Sequence, residues 1–168
     1  MNLYAYVSNR PLNSIDALGL TKLDINPDGG MMTVDPEVYG VLPYSINITS
    51  GIGSCMNKSA CSKNANEGPV PAGQYHIDVS QISNPGWVRD LLRNFGGGGD
   101  WGDWRVPVIP DPGTNTFDRS GFFLHGGAKL GTRGCIDVGG GTFGDPTTDR
   151  LLRDLQNDPD GRVPVNVR

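Results

Sequence analysis

Glycine and proline break this chain so often that no window free of them is long enough for an extended helix. There are 25 glycines and 13 prolines in 168 residues. Glycine weakens a helix interior by about 1 kcal/mol and proline by about 3 kcal/mol, so long bundles and coiled coils are excluded. The chain is not thereby disordered, because 13 aromatic residues are spread along its length and can anchor a core. One loop-rich domain follows, long enough to bury roughly two thirds of the surface its unfolded chain exposes. The glycines are also uneven, with 14 of the 25 falling between positions 96 and 141.

Short strands fit between these breaks. Leu23–Ile25 and Met31–Val34 flank Asn26-Pro27-Asp28-Gly29-Gly30, a hairpin pattern. Residues 44–49 and 75–79 alternate as strands do, and 105–109 and 122–124 are further candidates. Val163-Pro164-Val165-Asn166-Val167 reads as a closing strand, placed at a sheet edge by its proline. Two short helices are expected. One covers 87–93, and the other spans about 148–157, with Leu151, Leu152 and Leu155 on one face and Thr147 or Thr148 as cap.

Charge narrows the function. Net charge is −4 and no cluster of Lys or Arg forms a patch, which argues against a nucleic-acid partner. No apolar run approaches the roughly 20 residues of a membrane span, and the start of the chain lacks the pattern of a signal peptide. No cofactor is expected. Two glycine-rich stretches lack the Lys-Ser/Thr step and following helix of a phosphate loop. The stretch from Gly96 to Trp104 reads either as a lid with Trp101 and Trp104 as aromatic anchors or as a plain connection.

The candidate chemistry lies in the last third. His125 leaves the apolar run Gly121-Phe122-Phe123-Leu124 and enters Gly126-Gly127; ten residues later comes Thr132-Arg133-Gly134-Cys135-Ile136. A strand that delivers a His into a glycine turn presents the imidazole at a rim. A Gly-Cys step brings a thiol together with backbone N–H groups that can stabilise an oxyanion. A free thiol ionises near pH 8.5, so it needs such a partner to react at neutral pH. Spacing alone leaves a buried structural Cys beside a surface His equally open. Asp137 shares a face with Cys135 in an extended segment, but it is not favoured as a third member. His76 reads best as a strand residue facing outward. Cys55 and Cys61, with five residues between them, are candidates for a disulfide; free thiols are the alternative, and a zinc site fits no common spacing.

Three ordered matches tie these residues to a known family. Phe-Leu-His-Gly followed by Thr-x-Gly-Cys-Ile resembles the signature of the L,D-transpeptidase (YkuD-like) catalytic domain. Gly68-Pro69-Val70-Pro71-Ala72-Gly73-Gln74-Tyr75-His76-Ile77 is similar to that family's approach to a core strand. Ser50-Gly51-Ile52-Gly53 with Asn57 is similar to a segment of type VI secretion L,D-transpeptidase effectors, as is the short His-to-Cys spacing. The resemblance implies a mainly β sandwich or barrel with two short helices. It implies Cys135 as nucleophile, His125 as base and then acid, and a backbone carbonyl near Gly126 or Gly127 orienting the imidazole. Gly134 and Cys135 would supply oxyanion amides, and Thr132 would fix the turn or meet substrate. Arg133, in the family's variable position, reads as a solvated cation with a carboxylate contact as the lesser alternative. Trp101 and Trp104 are weak substrate-binding candidates.

The first twenty residues read differently. Asn2-Leu3-Tyr4-Ala5-Tyr6-Val7 through Asp16-Ala17-Leu18-Gly19-Leu20 resembles the end of an Rhs-repeat core, whose shell is cleaved after such a segment to release a variable toxin. Ala17 stands where that family usually has proline. The resemblance divides the chain into a remnant, 1–20, and a toxin domain, 21–168. Together the two resemblances imply an effector delivered to the target periplasm that acts on peptidoglycan stem peptides. It would trim the terminal D-Ala or exchange it for another D-amino acid. They also imply an Rhs shell and secretion apparatus for delivery, and a cognate immunity protein. The competing readings are a different Cys–His peptidoglycan peptidase or sortase-like enzyme, and a non-enzymatic wall-binding module using Trp87, Trp101 and Trp104.

Overall fold

The computed structural model describes residues 21–36, 40–84, 102–141 and 144–168. The 1–20 remnant, the expected helix at 87–93, and the Gly96–Gly99 run with Trp101 lie outside the described residues.

Two separate sheets face one another across a single apolar core, without closing into a barrel among the described residues. In chain order the strands are β1 (Lys22–Asn26), β2 (Met31–Asp35), β3 (Tyr44–Asn47), β4 (Thr49–Gly51), β5 (Gly73–Asp78), β6 (Arg105–Pro107), β7 (Ile109–Pro110), β8 (Phe123–Gly127), β9 (Thr132–Gly140) and β10 (Arg162–Val167). The first sheet runs β3-β2-β1-β10-β5-β7 and the second β4-β9-β8-β6. One α-helix, α1 (Pro146–Gln156), is described.

The expected β1–β2 hairpin forms, with Leu23 opposite Val34 and Ile25 opposite Met32 on the buried face. Two runs expected as single strands are split. The chain leaves the first sheet at β3, turns at buried Ile48, and enters the second as β4; it returns from β6 to β7 across buried Val108. Strands that change sheets make the corners of a sandwich, and an alternating pattern carries no mark of the change.

The closing strand also departs from expectation. β10 is central, paired in parallel with β1 and antiparallel with β5. Pro164 is tolerated there because the parallel ladder begins one residue later, at Leu23 opposite Val165. On α1 the cap is Asp145 rather than a threonine. Its carboxylate accepts from the Thr147 and Thr148 amides at 2.8 and 2.9 Å, and Pro146 occupies the first turn. Thr148 returns the bond, its hydroxyl accepting from the Asp145 amide at 2.9 Å. The helix buries Leu151, Leu152 and Leu155 in the shared core.

Candidate active site

The site is built on the second sheet, and strand register makes it. β8 and β9 are parallel, with Leu124 opposite Ile136 and His125 opposite Asp137, partners twelve positions apart. A residue ten positions after His125 therefore lies one step diagonally along the neighbouring strand, on the same face. That residue is Cys135. The His-to-Cys spacing is thus the length of a very tight parallel crossover. Glycine makes it feasible: Gly131 and Gly134 adopt φ of +91° and +90°, where a side chain is strained.

The two faces of this sheet differ. Val106, Leu124 and Ile136 align across three strands and face the core. The next row, Arg105, His125, Asp137 and Thr49, is polar across all four strands. His125 is only 3% exposed and Cys135 only 6%. Buried polar groups at such depth need partners.

His125 Nδ1 lies 2.5 Å from the Gly126 carbonyl oxygen. A carbonyl only accepts, so Nδ1 carries the proton and Nε2 presents its lone pair. Nε2 faces the Thr132 hydroxyl at 3.4 Å, and that hydroxyl also lies against the Cys135 sulfur. Asp137 lies beside His125 in register, and its carboxylate accepts from the Gly139 amide at 2.8 Å and from the Thr49 hydroxyl at 3.4 Å.

Burial pushes the Cys135 thiol above its ordinary range, against the lowering effects of the Phe123 amide, the Thr132 hydroxyl and the Arg119 and Arg105 charges. The buried environment favours a resting thiol, whose S–H points to the Gly121 carbonyl at 3.7 Å. The strand behind the thiol is clamped by Ser50. Its hydroxyl donates to the Cys135 carbonyl at 2.7 Å and accepts from the Val70 amide at 2.9 Å. Asn57 fixes Ser50 from the other side, accepting from its amide at 2.8 Å and donating to the Ile48 carbonyl at 3.1 Å. The Ser50…Asn57 segment singled out in the sequence thereby gains a physical role, that of supporting the Cys135 strand.

A model of the Tlde1 domain matches residues 46–153, nearly two thirds of the chain. The chain belongs to the Tlde1 family. Tlde1 domains are L,D-transpeptidase-like effectors of type VI secretion, a class tied to peptidoglycan. Solved structures agree on the fold. The cell-shape-determining protein Pgp2 of Campylobacter jejuni is similar at a TM-score of 0.52 and 16% identity, and Bd1075 of Bdellovibrio bacteriovorus at 0.50 and 15%. In each case 89% of this chain covers 47% of the other, so this chain spans about half their length. No curated protein matches the sequence.

Other Tlde1-domain residues predicted from sequence fall into place or out of it. Gly126 and Gly127 line the turn after His125, where Gly102 packs so closely that a Cβ on it would lie 2.5 Å from the Gly126 carbonyl carbon. Arg133 is exposed. Trp104 is a correction: at 1% exposure it belongs to the core and presents no face to a ligand. Its place in the strand-rich segment just before β6 turns it inward, and an aromatic next to glycines in sequence carries no sign of that. Cys55 and Cys61 are joined in a disulfide, with Cα atoms 5.6 Å apart. His76 lies on the first sheet, away from the thiol, with Nδ1 2.7 Å from Asp111. Sequence reasoning missed Arg119 altogether. The available signal was Gly134, because a glycine held before the nucleophile implies a neighbour in the space a Cβ would take.

Proposed function

We propose that this protein is an antibacterial toxin that modifies peptidoglycan stem peptides through Cys135. The observation that carries the reading is the alignment of His125 Nε2, the Thr132 hydroxyl and the Cys135 sulfur on adjacent strands, with Nδ1 committed to Gly126. Cys135 Sγ attacks the carbonyl of the third stem residue, and its proton passes to His125 Nε2, with Thr132 placed to relay it. The amides of Gly134 and Cys135 receive the developing oxyanion. Collapse breaks the peptide bond: His125 returns the proton to the departing D-Ala amine, and a thioester forms. Water then releases a tripeptide stem, or the amine of another D-amino acid replaces D-Ala. Either product removes donor stems needed for cross-linking.

The same reading assigns residues 1–20 to the end of an Rhs core with cleavage after Leu20, and the toxin domain to 21–168. Delivery through an Rhs shell and secretion apparatus would bring it to the target periplasm, and an immunity protein would protect the producer. Among the described residues no helix is long and apolar enough to cross a membrane. The burial of Trp104 weighs against the wall-binding module, which needed that ring exposed. Muropeptide analysis after periplasmic expression tests the activity. Tetrapeptide stems should disappear, and Cys135→Ala should restore them; an unchanged muropeptide profile with the unmodified protein would overturn the enzyme reading.

A further inference from the structure

Arg119 is a charged side chain that the proposed mechanism leaves unused although it lies against the nucleophile's turn. It sits two residues before Gly121, on a loop in which Phe117 and Asp118 both take positive φ, 54° and 59°. Two consecutive left-handed non-glycine residues are costly, and such strain persists only where the surroundings enforce it. Here the guanidinium is the anchor. Its Nη1 donates to the carbonyls of Ser62 and Pro69, the latter at 2.7 Å, and Nη2 donates to the carbonyl of Gly68 at 2.8 Å. It also lies over the Phe122 ring, 5.5 Å from the centroid.

Those carbonyls belong to the segment, 62–69, that follows the loop closed by the Cys55–Cys61 disulfide. Ser62 adjoins Cys61, and Gly68 packs so tightly on it that an added Cβ would lie 2.0 Å from the Cys61 carbonyl oxygen. Asp28 pins the same loop from the β1–β2 hairpin, accepting from the Ser59 amide and hydroxyl at 2.6 Å each. At the other end, Nη2 fills the place where Gly134 would carry a side chain: an ideal Cβ there would lie 2.2 Å from it. A fixed cation thus stands against the peptide that precedes the nucleophile.

We infer that Arg119, held by the segment packed beside the disulfide-closed loop, is a positioning residue whose charge stabilises the Cys135 sulfur as it becomes anionic. This rests on the reading of Cys135 as nucleophile. Among the described residues, the charged and titratable groups around the sulfur are few. They are His125 on β8, Arg105 on β6, Arg119 from its loop, and on β9 itself the exposed Arg133 and the Asp137 carboxylate engaged by Gly139 and Thr49. Tyr75, beneath Phe122, stays protonated because burial pushes it up to about 12. Arg119 is fixed by three carbonyls. A fixed charge stabilises an anion in a buried site without reorganising as the anion forms.

The test is the pH profile of Cys135 alkylation by iodoacetamide, with turnover of tetrapeptide muropeptides read in parallel. Arg119→Met should raise the alkylation midpoint by about one pH unit, slowing labelling about tenfold at pH 7.5. Arg119→Lys should keep the midpoint near that of the unmodified protein even where it lowers Tm, because it retains the charge. A midpoint unmoved in Arg119→Met, or moved equally in Arg119→Lys, overturns the inference. Should Arg119→Met not fold, Cys55→Ser/Cys61→Ser serves: it leaves the charge and the nucleophile in place but loosens the loop. Its midpoint should rise in the same direction by a smaller amount, and an unmoved one counts against the proposal. Cys135→Ala separates the two readings. If it retains turnover, the nucleophile assignment falls; if it abolishes turnover while Arg119→Met behaves as the unmodified protein, only the role of Arg119 falls.

Discussion

The two sheets solve the problem of polar groups in opposite ways. On the first, side chains alternate between core and surface, and the outward ones pair with each other near solvent. Gln74 bonds Asn166 at 2.9 Å, Asn166 bonds Asp24 at 2.8 Å, and Asp24 meets Arg168 at 3.1 Å. His76, Asp111 and Arg162 form a similar cluster. Such pairs are screened and contribute little. On the second sheet the polar groups are buried and find the backbone instead. His125 meets the Gly126 carbonyl, Cys135 the Gly121 carbonyl, and Ser50 the carbonyl of Cys135. Burial raises what each unmade bond would cost. Among the described residues, glycine permits such close approach at Gly102 and Gly126, where a Cβ would lie within 3 Å of main-chain atoms.

If the second sheet holds the chemistry and the first only supports it, His125→Ala should have the largest effect. Loss of a general base lowers rate by about 100- to 10,000-fold, while the fold survives because the apolar row of Val106, Leu124 and Ile136 is untouched. Single-turnover release of D-Ala, with Tm measured alongside, checks this. A variant that unfolds, or one that keeps its rate, would break the contrast between the sheets.

Ile77→Ala in β5 sharpens it from the other side. Ile77 is fully buried and opposite Val163, where β5 pairs with β10 in the first sheet. Removing it should cost about 2–5 kcal/mol of stability through lost burial and a residual cavity. Denaturant unfolding measures that loss, and turnover per folded molecule should stay unchanged. A fall in specific activity would mean that the scaffold also shapes the site.

Sequence reading reached the two sheets unequally for the same reason. The first sheet's hairpin and alternation were legible because one face meets water; Leu23, Ile25, Met32 and Val34 announce it. Its order was not, because β10 pairs with β1 across more than 130 residues and Pro164 pointed to an edge. In the second sheet β8 and β9 are buried over most of their lengths, so alternation is lost. What remained visible there was the motif chemistry of His125 and Cys135, carried by family resemblance. Arg119 and the hydroxyl of Ser50 act through backbone carbonyls, and a bond to a carbonyl leaves no trace in the identity of the residue that supplies it. The corners at Ile48 and Val108 were hidden likewise, since each is one more aliphatic residue in an alternating run.

Ser50→Ala is the smallest of these changes and probes where the two regimes meet. Its hydroxyl satisfies the Cys135 carbonyl and the Val70 amide at once, and Ser50 is itself fully buried. Alanine leaves both groups unpaired at a cost of about 1–3 kcal/mol. A surface substitution of similar size on the first sheet, Asn166→Ala, should fall within about 0.5 kcal/mol, despite removing two side-chain hydrogen bonds. Chemical denaturation of both variants gives the comparison directly. Because the lost clamp lies behind Cys135, Ser50→Ala should also slow turnover per folded molecule, whereas Asn166→Ala should leave it unchanged. Equal stability losses would mean that depth, rather than the backbone partner, had been misjudged as the source of the difference. Equal turnover with unequal stability would instead place Ser50 with the scaffold and confine the working site to β8, the β9 turn and the loop of Arg119.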